Sequence, residues 1–247
     1  MIAIRTQPEL NLIRESGEVL RECFRALESM LRPGVTTGEL DAAAEEFIRS
    51  HGGVPAFKGY LGYPASVCTS VNEEVVHGIP GTRELRDGDI VGIDIGVLKY
   101  GYCTDASRTY PIGEVSGTAR RLIGVTREAL ELAIDTARAG NHLSDISHVV
   151  QTHAESNGFS VVRALVGHGI GRQMHEEPQI PNFGPPGKGP VLASGMVLAI
   201  EPMLNEGTFE VFTLGDNWTF ITADRKLSAH FEDTVAVTEG EPVIMTR

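Results

Sequence analysis

The chain carries two copies of one pattern. Residues 32–41 (RPGVTTGELD) line up with 138–147 (RAGNHLSDIS) at an offset of 106, and Ser-His-Gly at 50–52 lines up with Ser-Asn-Gly at 156–158 at the same offset. Residues 85–94 (LRDGDIVGID) then align without a gap with 192–201 (LASGMVLAIE) at an offset of 107. A further pair, 105–113 (DASRTYPIG) and 232–240 (EDTVAVTEG), is offset by 127, so the second copy holds about 20 extra residues between its two carboxylates. Each half reads as helix, helix, strands. The halves meet near residues 113–121 with no Pro/Ser-rich linker, so two fused halves sharing one sheet fit better than two independent domains. The expected organisation is one α+β domain over 1–247 with pseudo-repeats at about 8–113 and 117–240.

Within the first copy, Leu10, Ile13, Val19, Leu20, Phe24, Leu27 and Leu31 recur mostly three, four or seven apart and predict an amphipathic helix over 8–31, ended by Arg32-Pro33-Gly34. Thr37 is the N-cap candidate for a second helix running to Ser50 and stopped by His51-Gly52-Gly53. The balance of 33 acidic against 21 basic residues, a formal net charge of −12, disfavours nucleic acid as a partner. No stretch approaches the roughly 18 to 20 apolar residues that span a bilayer, and the N-terminus lacks the pattern of a cleaved signal, so a cytoplasmic protein without a membrane partner is expected. Cys23, Cys68 and Cys103 are widely spaced with no CxxC, which reads as core thiols in a reducing compartment.

The duplication also selects candidate chemistry. Asp94 and Glu201 each close an apolar run, and Asp105 and Glu232 occupy matching places further on. An isolated buried carboxylate is costly, and four converging on one centre repel one another unless divalent cations lie between them. Capping or turn roles explain a lone acid at a strand end, but not four at matching places in two copies. His168 sits between glycines in Gly167-His168-Gly169-Ile170-Gly171, where the backbone turns tightly and allows close approach; His175 follows seven residues later, and His77 is the counterpart loop residue of the first half. One imidazole added to four carboxylates suits manganese, iron(II), cobalt(II) or zinc better than a thiolate-type site. Of the other histidines, His230 is set apart by standing two residues before Glu232; His51, His142, His148 and His153 read as structural or surface residues.

Residues 72–80, 88–94, 101–105, 167–178, 195–202 and 227–234, taken in order, resemble the successive motifs of the type I methionine aminopeptidases over essentially the whole chain. The resemblance implies a pita-bread fold, two pseudo-symmetric α+β halves around a central antiparallel sheet with helices on its outer face and a dinuclear metal centre. It implies two divalent cations (cobalt, iron(II), manganese, zinc or nickel). Asp94, Asp105 and Glu232 would hold one of them and Asp105, His168, Glu201 and Glu232 the other. The implied activity is removal of the initiator methionine from nascent proteins and peptides when the second residue is small. A hydroxide shared by the cations would attack the scissile carbonyl while one cation polarises it. Glu201 is the candidate proton carrier, His175 the donor to the oxyanion, and His77 a substrate contact on the leaving side. The methionine pocket falls on Tyr60, Tyr63, Cys68, Met174 and Trp218, an apolar set fit for a thioether. Phe57 and Met174 depart from the residues common at their positions in the pocket region, and Asp233 replaces a histidine seen in several relatives.

The nearest alternative is an X-Pro peptidase of the same fold, whose members carry a large N-terminal domain; here the first helix begins by about Pro8. A non-catalytic binding protein on this fold is disfavoured because all five ligand positions hold competent side chains. Expected partners are the N-termini of peptides and nascent chains. Transient ribosome contact would need a basic patch that the sequence does not reveal, and a monomer is expected.

Overall fold

The structure, a computed structural model, describes residues 2–247. Four helices, α1 (Gln7–Glu28), α2 (Thr37–Ser50), α3 (Gly117–Thr136) and α4 (Leu143–Ser156), come in two pairs separated by strands. The repeat is visible in their ends, since α2 and α4 are both 14 residues long and related by the 106-residue offset. In α2 the Glu39 carboxylate accepts from the Thr36 N–H and hydroxyl, and the Glu39 N–H donates back to Thr36 Oγ1. In α4 the matching Asp145 accepts from the His142 N–H. The cap of α2 is therefore Thr36 rather than Thr37. Thr37 is buried and its hydroxyl is taken up by Gly81, accepting from the Gly81 N–H at 2.9 Å. The first helix stops at Glu28, three residues short of Leu31, with Met30 N–H turning back onto the Leu27 carbonyl.

Nine strands form one sheet in the order Val54–Pro55, Ile90–Lys99, Tyr102–Pro111, Glu232–Ala236, Val197–Ile200, Val166–Gly169, Glu176–Pro181; Val67–Val71 also pairs with Ile90–Lys99, and Val243–Ile244 with Glu232–Ala236. Every pairing in it is antiparallel. At its centre Ala106 faces Asp233, two positions related by the 127-residue offset, so the pseudo-twofold axis passes between them. The copies are not identical. Asp94 stands opposite Ser107, whereas Thr234, the repeat partner of Ser107, stands opposite Ala199 and not opposite Glu201. That slip of two residues keeps every side chain on its face and, carried one step further, sets Glu201 level with Glu232.

Alternation along these strands separates core from site. Val91, Ile93, Ile95, Val97 and Ala106 pack with Val19, Leu20, Phe24 and Leu27 of α1 and Leu40, Ala44 and Ile48 of α2. Leu198, Ile200, Val235 and Val237 pack in the same way with Leu122, Leu130 and Ile134 of α3 and Ile146 and Val150 of α4. Each half thus has its own core on the helical side. Asp94, Asp105 and Glu232 fall in the opposite phase, which points them to the other face of the sheet, and Glu201 continues that phase just beyond its strand. The extra residues of the second copy form a hairpin, Val211–Thr213 with Phe220–Thr222, which pairs onto Glu74–Val76 of the first half. This is the α+β arrangement of two pseudo-symmetric halves that the resemblance implies. Among the described residues no helix is long and apolar enough to cross a membrane.

Candidate metal centre

On the face opposite the two helix-backed cores, Asp105, His168 and Glu232 each offer a donor atom within 4.8 Å of the others, and all three are buried. Glu201 Oε1 lies 3.6 Å from His168 Nε2. Asp94 completes the group, lining the same cavity as Asp105, His168, Glu201 and Glu232. Burial pushes Asp94 up to about 7; it also holds Asp105, Glu201 and Glu232 well above the carboxylate range, where repulsion from the neighbouring acids adds to it.

The environment fits divalent cations. Asp94 Oδ1, Asp105 Oδ1 and Glu232 Oε1 are buried without a hydrogen-bond partner, which is costly for charged oxygens unless a cation takes the lone pairs. His168 Nδ1 lies 2.9 Å from the Gly169 carbonyl, an acceptor only, so the ring proton sits on Nδ1 and Nε2 presents a lone pair to the acids. Desolvation lowers the His168 imidazole to about 3 and keeps it neutral, as a ligand must be.

Two hollows meet at this cluster. One, about 230 Å³, is lined by the four acids and His168 together with His77, His175, Phe57 and Cys68. The other, about 440 Å³ and mainly apolar, is walled by Tyr60, Leu61, Tyr63 and Trp218 and shares Phe57, Cys68, His77 and His175 with the first. Trp218 meets Tyr63 edge-on with centroids 5.0 Å apart. His77 holds a left-handed backbone, φ 61°, unusual for a side chain of its size and a cost that the surrounding structure must offset. His175 stands at the mouth of both hollows with its ring 4.3 Å from that of His168.

The structure therefore brings together Asp94, Asp105, His168, Glu201, Glu232, His77, His175, Tyr60, Tyr63, Cys68 and Trp218. Met174 is the exception to the expected pocket lining. It is buried in a cluster with Ile13, Tyr102 and Cys103, beside Gly96, where a Cβ would come within 2.8 Å of its Cε. Phe57, whose ring would meet that same Cβ and which packs against this cluster, is the one that faces the hollows. All three cysteines are free and buried; Cys23 and Cys103 sit in cores, with thiols pushed up to about 12 by burial, while Cys68 lines the hollows.

His230 belongs to the cluster more closely than its sequence context suggests. It is buried, its unpartnered Nε2 lies 3.9 Å from Glu201 and 3.8 Å from Glu232, and desolvation lowers it to about 3. Its separation of two from Glu232 was the available signal, because alternate residues of an extended segment share a face.

Residues 11–239 match the model of metallopeptidase family M24. The chain belongs to this family. The methionine aminopeptidase of Clostridium perfringens is 53% identical over 246 residues, covering 100% of this chain and 99% of that protein. The crystal structure of methionine aminopeptidase from Thermotoga maritima superposes with a TM-score of 0.99 at 44% identity, with both chains covered in full. Prolidase from Pyrococcus furiosus superposes at 0.80 with 22% identity over 65% of its length and shares the fold alone. An M24 metallopeptidase requires metal, and the acid cluster is where this chain has the donors for it.

Proposed function

We propose that the chain is a methionine aminopeptidase that removes the N-terminal methionine of peptides and nascent proteins when the second residue is small. The observation that carries this reading is the junction of the two hollows: an apolar pocket with room for a methionine side chain shares Phe57, Cys68, His77 and His175 with the cavity that holds the buried acids. Full-length similarity to curated methionine aminopeptidases supports it.

In this reading Asp94, Asp105 and Glu232 hold one divalent cation and Asp105, His168, Glu201 and Glu232 a second. When bound, the cations supply positive charge that polarises a carbonyl and lowers the pKa of water. The methionine side chain enters between Tyr60, Tyr63, Cys68 and Trp218, whose apolar surfaces exclude solvent, and its free amine lies toward Asp94. Glu201 accepts the proton of the attacking water and returns it to the leaving amine. His175 donates an N–H to the oxygen on which charge develops. His77, held neutral by a pKa lowered to about 4, contacts the substrate on the leaving side without adding charge. The whole chain acts as one catalytic unit, a cytoplasmic monomer that meets the N-termini of peptides and nascent chains.

Metal-loaded protein is expected to release methionine from Met-Ala-Ser and leave Xaa-Pro dipeptides intact. Preferential cleavage of the latter would overturn the proposal in favour of an X-Pro peptidase.

A further inference from the structure

His168 and His175 stand with rings 4.3 Å apart, and what differs between them is the group on Nδ1. For His168 that group is a backbone carbonyl, which only accepts and leaves Nε2 as a lone pair. For His175 it is the Tyr60 hydroxyl, 2.8 Å away, with the two rings stacked at 5.3 Å. A phenol can donate where a carbonyl cannot. Burial raises the Tyr60 phenol, so its proton is retained, and no other acceptor for that proton is seen among the described hydrogen bonds.

We propose that Tyr60 is a positioning residue: its O–H donates to His175 Nδ1, which fixes the proton of His175 on Nε2 and aims that N–H into the metal cavity. Two adjacent imidazoles are thereby held in opposite tautomers, one as ligand and one as donor. The loop supports this precision. Tyr60 is flanked by left-handed residues, Gly59 at φ 87° before it and Leu61 at φ 49° and Gly62 at φ 90° after it, and it lines the apolar hollow with His175. Tyr60 does more here than form an apolar wall, and the inference rests on the reading of His175 as a donor to substrate.

The test is Tyr60→Phe in the metal-loaded protein, which keeps the ring, its stacking and the pocket wall while removing the hydroxyl. The expected result is a fall in kcat of about tenfold, the scale seen when a partner that orients a site residue is lost, with KM within about twofold. Imidazole nitrogen NMR of histidine-labelled protein, with and without metal, should show the His175 proton on Nε2 in the parent and mixed tautomers in Tyr60→Phe. A proton on Nδ1 in the parent, or a variant that raises KM and leaves kcat unchanged, would overturn the inference. His175→Ala separates the two readings. If it leaves kcat intact, the donor role of His175 has failed. If it lowers kcat, Tyr60→Phe added on top should cost nothing more, and a full further tenfold loss would show that Tyr60 acts independently.

Discussion

Asp105 and Glu232 are the two side chains on which the centre depends most. Each is buried, each leaves an oxygen without a hydrogen-bond partner, and each lies at the middle of the acid group. An amide at either position keeps one acceptor oxygen and nearly the same volume but removes the charge that a cation needs. Asp105→Asn and Glu232→Gln are therefore expected to lower metal-dependent cleavage by about a hundredfold or more, since changes even to outer partners of metal sites cost 10- to 100-fold. Metal retained after dialysis should fall in parallel. The same substitutions remove like-charge repulsion among buried carboxyls, so the metal-free variants should melt no lower than the metal-free parent. A metal-free variant that melts well below the parent would mean that the acids serve the fold and not a cation.

The strand that carries Glu232 is held from behind by its neighbour. Asp233 is fully buried and points to the helical side, where Arg108, Thr246 and Arg247 all donate to its carboxylate, Thr246 and Arg247 at 2.7 Å. Arg108 also donates to the Glu232 carbonyl, and Arg247 reaches Glu131 on α3. Removing one partner of a buried charged network leaves the others unpaired, so Asp233→Ala should cost about 3–5 kcal/mol in unfolding free energy by denaturant titration. A loss below about 1 kcal/mol would show that the pairs contribute little. This network ties the chain terminus to the central strand, a contact between residues far apart in sequence that no local pattern reveals. What was legible was periodic or repeated. The apolar spacing marked α1, the duplication placed Asp94 and Glu201 on matched strands, and glycines flagged His168. What escaped depended on tertiary partners. Thr37 rather than Thr36 looked like a cap because the contact with Gly81 could not be seen, His230 lacked a glycine context, and Met174 is held beside Gly96, out of both hollows, by tertiary packing.

At the scale of the whole molecule, two helix-backed halves press four carboxylates onto the axis between them, and the stability of the protein is coupled to what neutralises them. Without cations, Asp94 titrates near 7 instead of 3.8, and Asp105, Glu201 and Glu232 lie well above their ordinary range. In the unfolded chain the same groups have lost their protons by neutral pH. The folded state then binds more protons than the unfolded one, and stability falls as pH rises through the raised values. Below about pH 6.5 the buried histidines act in the opposite sense, because His77, His168 and His230 are held neutral with values near 3 to 4 and must charge on unfolding. The window in which the acids act without that opposition is therefore pH 7 to 8.5. Metal-free protein should lose Tm steadily across it. Metal-loaded protein, whose carboxylates have already exchanged protons for cations, should hold its Tm or gain, because affinity for the cations rises as protons cease to compete. Parallel thermal melts of chelator-treated and reloaded protein at pH 7, 7.75 and 8.5 measure this difference. The buried thiols are common to both forms and cancel in the comparison, so an equal fall in the two would exclude the acid cluster as its cause.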